Sequence, residues 1–309
     1  MISKLLLTAL FTWTLPSAEQ LAEGWIALFD GQDTYGWVLD VPENWSVEPE
    51  AALVGKAGAK LQSTTTFGKS LLSYEFQKEG DSEWTQKTVP IEGVAVLEAD
   101  EEKTTRFRKV LLKPLGMKKL FNGKDLEGWK AYTDAEFPGF QARFEVEPET
   151  KRLHVVNGPG MLESAGSYGD FVLQLEVMTA AENLNSGVFF RCIPGEKMNG
   201  YESQIQNGFL EGDRTKPMDA GTGAIFRRTT ARYIPANDKE WCFMTIVAVG
   251  PHFSVWVNGL QVTDWMDERK PNANPRRGLR LEPGTLMLQA HDGTTDVYFR
   301  NIQLSEIQK

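Results

Sequence analysis

The residues with the greatest capacity for chemistry lie in three short segments of the second half of the chain. Arg191 ends NSGVFFR, Glu202 and Gln204 lie in GYESQIQN, and Gln289 and His291 lie in LQAHDG. Successive side chains of a strand point to opposite faces, so alternation predicts each of these groups on the polar face of its strand. Carboxylate, amide, guanidinium and imidazole groups on one face can bind a polar ligand or transfer protons.

The elements that must position these groups are almost all β-strands. Short β-rich runs such as DFVLQLEVM, CFMTIVAVG and TDVYFRNIQL are separated by Gly, Pro, Asn or Asp, and between Glu23 and Lys309 no apolar period of 3.6 persists over three turns. Closely spaced strands predict an all-β fold, an antiparallel β-sandwich or jelly roll. Because antiparallel sheets often keep one face solvated, the polar face also has a purely structural interpretation.

An internal repeat divides the chain. LFDGQDTYGW (28–37) is nearly repeated as LFNGKDLEGW (120–129), and SVEPEAAL is similar to EVEPETKRL. The repeat predicts two related β modules, a smaller one at 23–116 and a larger one at 117–309. The first copy has no counterpart of NSGVFFR, GYESQIQN or LQAHDG, so we expect any catalysis in the second module.

The N-terminus predicts export. Lys4, an apolar run and Pro16-Ser17-Ala18 are typical of a signal peptide, here residues 1–22, whose cleavage would leave a periplasmic or extracellular protein. The run is shorter than the roughly 20 residues of a membrane span. With 33 basic and 42 acidic residues the net charge is −9, which argues against a nucleic-acid partner. The oligomeric state stays open.

Only two cysteines are present, Cys192 and Cys242. Two cysteines are too few for a disulfide scaffold or a thiolate metal site. Each lies in a strand-like run, which favours buried free thiols and leaves a single bridge between them as the alternative.

At these motifs the chain resembles the 3-keto-disaccharide hydrolase family. The matching segments are LFNGKDLEGW, YGDF, NSGVFFR, GYESQ, GTGAIF, WVNG, LQAH and FRNI, in the family's order from about 117 to 305. A degenerate partial copy is predicted at about 23–116. The resemblance implies a concanavalin A-like jelly roll and a carbohydrate partner, an oxidised disaccharide or glycoside carrying a carbonyl at C3.

The resemblance also implies a reaction. A C3 carbonyl acidifies the hydrogen on C2, so a base can form an enolate that expels the C1 substituent, and water can then add to the C1–C2 double bond. We expect Glu202 or His291 as the base and Arg191 at the enolate oxygen. A divalent cation on His291 and Glu202 would polarise the same carbonyl and is the alternative to Arg191.

The chain departs from the family's pattern near this site. Asn207 and Ala290 stand where the family has Asp, and Cys242 stands where it has Asn. Two carboxylates are therefore missing, which argues against a metal and leaves its presence open.

The remaining expected contacts are with substrate. They are Asn185, Gln204, Trp241, Trp256 and Gln289. Aromatic platforms and amides of this kind would also suffice for a non-catalytic, lectin-like carbohydrate-binding protein, and the same fold hosts both classes. The fold alone therefore does not decide between an enzyme and a binding module.

Overall fold

The computed structural model describes residues 15–48 and 52–308. These form two compact units that divide between Gly116 and Met117, with residues 259–261 counted in the first unit. The predicted signal peptide, residues 1–22, lies largely outside the described residues. Its described end contains the only α-helix found in the described ranges, α1 (Ala18–Ala22), which begins at a capping box formed by Ser17. No helix in these ranges is both long and apolar enough to cross a membrane.

The first unit is one antiparallel sheet. Its strands are β1 (Ile26–Ala27), β2 (Trp37–Leu39), β3 (Trp45–Glu48), β4 (Ala52–Gly55), β5 (Lys60–Lys78), β6 (Thr85–Glu98) and β7 (Thr105–Pro114), with a 3₁₀ helix at Pro42–Asn44. The strand order is β2-β5-β7-β4-β3, while β6 pairs with β5 and β1 with β7. The long strand β5 thus organises this unit.

The second unit contains two antiparallel sheets. Its strands are β8 (Lys118–Lys119), β9 (Trp129–Ala131), β10 (Arg143–Glu147), β11 (Arg152–Val156), β12 (Gly160–Ser164), β13 (Phe171–Thr179), β14 (Ser186–Cys192), β15 (Tyr201–Ile205), β16 (Cys242–Val249), β17 (His252–Val257), β18 (Leu260–Met266), β19 (Thr285–Ala290) and β20 (Asp296–Glu306), with a 3₁₀ helix at Leu210–Gly212. One sheet has the order β10-β11-β20-β13-β16-β17-β18 with β8 on β20, and the other has the order β15-β14-β19-β12-β9. The predicted antiparallel β-sandwich is confirmed.

Aromatic side chains join the two sheets of the second unit. The ring of Phe190, on β14, lies 6.0 Å from Phe171 on β13 and 5.3 Å from Phe253 on β17. Tyr201, on β15, packs against the same Phe253 ring at 4.5 Å. These side chains are almost completely buried. They identify the side of β14 and β15 that faces the core, and therefore the opposite, outer face of the five-stranded sheet.

A β-bulge in β14 changes the direction of its last side chains. Phe189 pairs with Met287 but Cys192 pairs with Thr285, so β14 carries one residue more than β19 between these two pairs. The extra residue breaks the alternation, and Arg191 takes the left-handed value φ 48°. Arg191 therefore turns toward the core, and Cys192 joins the outer side.

The two cysteines are buried free thiols. Cys192 belongs to the five-stranded sheet and Cys242 to the eight-stranded sheet. Burial raises the pKa of Cys192 well above its ordinary value and that of Cys242 to about 12. Neither thiol is poised to act as a nucleophile, because the thiolate is the reactive form.

Candidate functional site

The polar half of the outer face lies on β15, β14 and the end of β19. Because Tyr201 points into the core, Glu202 and Gln204 follow the strand alternation onto the outer face. Glu202 pairs with Phe189 and Gln204 with Gly187 across the ladder. Four of the predicted residues, Glu202, Gln204, Gln289 and His291, are therefore on this face, as the alternation predicts for each strand.

The other half of this face is closed by an apolar cluster. Phe140 and Met161 pack with Met287, and Tyr132 bonds to the buried carboxylate of Glu163 at 2.5 Å. The hydroxyl of Thr285 donates a second bond to Glu163, at 2.6 Å. Because these bonds satisfy the carboxylate, we assign it to holding this part of the sheet together.

Glu202 is the most perturbed group of the polar half. Its side chain is 6% exposed, and burial raises its pKa to about 7. The positive charges of Arg276 and His291 oppose that rise, while the nearby Asp219 carboxylate adds to it. The carboxyl group therefore titrates in the neutral range, where proton transfer at physiological pH is most effective.

The Glu202 carboxylate occupies the space that a glycine leaves. A Cβ added to Gly187 would lie 2.8 Å from Oε1 of Glu202 and 3.1 Å from its Cγ. The missing side chain on β14 thus allows the carboxylate to lie across the strand. Gly187 belongs to the NSG motif, which gains a physical reason for its glycine.

Arg276 supplies the cation of the site and was missed by sequence reasoning. Its Nη2 lies 3.4 Å from Oε2 of Glu202, and its Nε donates to the carbonyl of Met198 at 3.1 Å. The guanidinium also lies 5.2 Å from the centre of the Phe189 ring. Beside it, a crevice of about 10 Å³ reaches Glu202, room for about one water molecule. Arg276 lies in the loop before β19, where strand alternation gives no signal.

Gln204 is the centre of an amide–carboxylate network. Its Nε2 donates to Oδ1 of Asn185 at 3.3 Å and to Oδ2 of Asp219 at 3.2 Å. Asn185 also donates to Asp219, at 2.9 Å. The predicted Asn185 is thus beside the polar half, whereas Asp219 comes from the long loop after β15 and was not predicted.

Two buried amide oxygens on this face lack donors. The Oε1 atoms of Gln204 and Gln289 accept no hydrogen bond from any residue that the structure describes. Gln289 directs its Nε2 toward the sulfur of Met198 at 3.5 Å, a weak acceptor. A buried acceptor without a donor costs roughly 1–3 kcal/mol, so both oxygens favour a ligand that donates.

His291 is the accessible imidazole of the face. Its side chain is 41% exposed, and its Nδ1 lies 2.9 Å from Oδ2 of Asp292. The hydrogen bonds from Thr294 and from His291 lower the pKa of Asp292 to about 2, so this carboxylate stays negative at neutral pH. The pair fixes the orientation of the ring and leaves its Nε2 free of this contact.

Arg191 is not at this site, and its predicted placement is wrong. The guanidinium has no exposed surface and donates to Oδ1 of Asp170 at 2.9 Å. Further bonds run to the carbonyls of Gly169 and Gly250, at 3.0 and 2.6 Å, and the Phe253 ring lies 5.2 Å away. The bulge in β14 is the physical reason, because it turns Arg191 between the sheets.

The two predicted tryptophan platforms are also absent from this face. Trp256 lies on β17 of the other sheet and is 1% exposed. Trp241 precedes β16, and its ring stacks under the guanidinium of Arg300 at 3.9 Å. Both predictions used residue type alone, which does not reveal the sheet to which a tryptophan belongs.

The donor set does not fit a divalent cation. Within the described ranges, no three His, Cys, Asp or Glu side chains group as metal ligands. Glu202 faces the guanidinium of Arg276, and His291 is engaged by Asp292. A stable site for a hard cation needs more ligands than these two side chains supply.

Similarity to known proteins falls in the second unit of the chain. The family model of the 3-keto-α-glucoside-1,2-lyase-like domain matches residues 116–305. A candidate glycosyl hydrolase from Parabacteroides distasonis, solved at 1.70 Å, shares 21% identity over 62% of this chain and 94% of its own, with a TM-score of 0.50. A second one from that organism, at 2.00 Å, shares 24% over 62% and 99%, with a TM-score of 0.46. The first likeness supports the fold alone. No curated protein matches the chain.

Proposed function

We propose, because this chain belongs to the 3-keto-α-glucoside-1,2-lyase-like domain family, that residues 117–309 cleave glycosides oxidised at C3. The family supports activity on carbohydrates, and the keto sugar and the reaction are our proposal. The observation that carries it is Glu202, a buried carboxyl group with a pKa of about 7 beside Arg276. A group that titrates near the working pH can both take up and release a proton.

Glu202 performs the first step as a base. The C3 carbonyl acidifies the C2 hydrogen, and the carboxylate removes it as a proton. The electron pair of that C–H bond forms a C2–C3 double bond, and the negative charge moves to the C3 oxygen. Arg276, whose Nη2 lies 3.4 Å from Glu202, provides positive charge for this oxygen. It takes the role that sequence analysis gave to Arg191.

The second step breaks the glycosidic bond. The enolate re-forms the C3 carbonyl, a C1–C2 double bond forms, and the C1–O bond breaks. His291, held by the Asp292 carboxylate, gives a proton to the departing oxygen. Water then adds its oxygen to C1 and a proton to C2, so the net reaction is hydrolysis.

The unpaired amide oxygens orient the sugar. Oε1 of Gln204 and Oε1 of Gln289 are both buried acceptors without a donor. Two sugar hydroxyls that donate to them would remove the cost of leaving these acceptors unpaired. The same two oxygens would serve a lectin-like protein that binds sugars without cleaving them, so they favour a carbohydrate ligand but not the reaction.

Turnover of one disaccharide in two oxidation states tests the proposal. We expect the full chain to release monosaccharide from the 3-keto form and not from the unmodified form. The ratio kcat/KM should rise with pH through about 7, because Glu202 acts as a base only when deprotonated. Glu202→Gln should lower kcat at least about 100-fold, in line with the loss of a general base, while a chelator leaves turnover unchanged.

The matched control is Glu282→Gln, which makes the same chemical change at a carboxylate that is 69% exposed. It should turn over the keto substrate like the parent chain. Binding without any release from the keto form would establish the lectin-like alternative. Full turnover by Glu202→Gln would remove Glu202 from the base role.

A further inference from the structure

The first unit contains a cleft that the proposed function does not use. It encloses about 210 Å³ and is bordered by residues of β5, β6 and β7. The family match begins at residue 116 and does not reach this cleft. We propose that this cleft, called here the aromatic groove, binds a single neutral sugar ring independently of the cleavage site.

The floor of the groove is aromatic. The Tyr74 ring lies 6.2 Å from Phe76 and 5.9 Å, edge to face, from Phe107. Phe107 is 2% exposed and is held from the other side by Trp45, whose ring centre is 6.2 Å away. Tyr74 and Phe76 are half-buried, so part of each ring is accessible. Flat, fixed rings of this kind offer the apolar surface that the C–H faces of a sugar require.

The rim of the groove is charged but balanced. Two cations, Lys78 and Lys87, and two anions, Glu98 and Asp100, border it. Lys78 pairs with Asp100 at 2.6 Å, so the rim has no excess of either sign. A strongly charged ligand would be repelled by the two rim side chains that carry the same sign as the ligand. Charged side chains of both signs over an aromatic floor instead fit a neutral ligand with many hydroxyls.

Two donors at the rim have no protein acceptor. Tyr74 and Lys87 are directly opposite each other on β5 and β6. In the described ranges, neither the Tyr74 hydroxyl nor Nζ of Lys87 forms a hydrogen bond or ion pair, although both lie at the groove. They can therefore donate to ligand oxygens without first breaking an internal bond. The volume is below the roughly 300 Å³ of a drug-sized pocket, which limits the ligand to one ring.

Affinity electrophoresis of the full chain tests the aromatic groove. The probes are gels that contain soluble starch, laminarin or galactomannan, with heparin as a charged polymer. We expect at least one neutral polysaccharide to retard the chain. Tyr74→Ala should weaken this retardation at least tenfold, and Lys87→Gln should weaken it by a smaller factor. Glu202→Gln should leave it unchanged, which separates this outcome from any failure of the proposed cleavage.

Trp84→Ala is the matched control. Trp84 lies on the same hairpin, but its ring packs under Arg108 at 4.0 Å, away from the groove. The Trp84→Ala variant should be retarded in the gels like the parent chain. Should Tyr74→Ala fail to melt cooperatively, Tyr74→Phe removes only the hydroxyl and should weaken retardation severalfold. The proposal is overturned by no retardation in any neutral gel, by retardation in heparin alone, or by equal retardation of the Tyr74 and Trp84 variants.

Discussion

At the scale of single residues, burial of one carboxyl group links the chemistry of the site to its stability. Glu202 is 6% exposed, and its nearest cation, Arg276, is 3.4 Å away, too far for a strong ion pair. Burial therefore outweighs the positive charges, and its pKa is raised to about 7 from an ordinary value of 4.5. The same shift that prepares a base for neutral pH makes the ionised group unfavourable in the folded protein.

This linkage predicts a stabilising substitution. Because the folded-state pKa of Glu202 is raised, its contribution to the free energy of unfolding is complete below about pH 4.5. This contribution is lost as the pH rises through about 7. Glu202→Gln keeps the neutral form at every pH. Its free energy of unfolding should therefore exceed that of the parent by about 3 kcal/mol at pH 8 and by less than about 1 kcal/mol at pH 5, at about 1.4 kcal/mol per pKa unit.

Denaturant unfolding at both pH values measures this difference. Glu282→Gln serves again as the control and should show no pH-dependent gain, because its carboxylate is 69% exposed. A Glu202→Gln chain that is less stable than the parent at pH 8 would mean that the ionised carboxylate is stabilised by its surroundings. The base role would then need another group.

At the scale of elements, alternation predicted faces wherever a strand is regular. Glu202 and Gln204 on β15 and Gln289 on β19 are on the expected face because both strands keep their register there. Arg191 is not on the expected face, because the bulge in β14 adds a residue, and no glycine in the sequence marks the position of that bulge. Arg276 and Asp219 come from long loops, whose path depends on tertiary contacts and has no periodic signal.

The hairpin of β14 and β15 provides a test at this scale. Gly187→Ala places a methyl group 2.8 Å from Oε1 of Glu202, so the carboxylate must shift while the backbone stays. The nearest atom is the end of a side chain, but Cγ of Glu202 and Cε2 of the buried Phe189 ring lie at 3.1 and 3.2 Å, so we expect a moderate loss of stability. A displaced base should lower kcat/KM for a 3-keto-glycoside by about 100-fold, the cost typical of an ångström of misplacement.

Gly293→Ala is the matched glycine change, because its Cβ would meet only Oδ1 of Asn157 at an ordinary 3.6 Å. It should keep parental kinetics and the parental melting temperature. Equal activity of Gly187→Ala and the parent would show that the position of Glu202 over Gly187 is not needed for turnover.

At the scale of the whole molecule, the proposed cleavage site and the proposed aromatic groove lie in different parts of the sequence. The groups of the proposed reaction all follow residue 117, whereas the aromatic groove is built from β5, β6, β7 and the turn that contains Asp100, all before residue 115. The repeated LF-G-D-GW segments predicted two related modules, because a repeat can be read directly from residue identity. Tyr74, Phe76 and Phe107 gave no such signal, since they meet only when β5 pairs with β7.

The division after Gly116 predicts that the second unit folds alone, provided that it keeps its first strand. Lys118 and Lys119 of β8 pair with Leu304 and Gln303 of β20, so a fragment of residues 117–309 retains this ladder whereas residues 120–309 lose it. We expect the longer fragment to melt in one cooperative transition and to cleave a 3-keto-glycoside at the rate of the full chain. The shorter one should melt at a lower temperature, because the edge of β20 loses its partner. Calorimetry and turnover of both fragments decide the matter, and an unfolded 117–309 fragment would show that the second unit needs the first in order to fold.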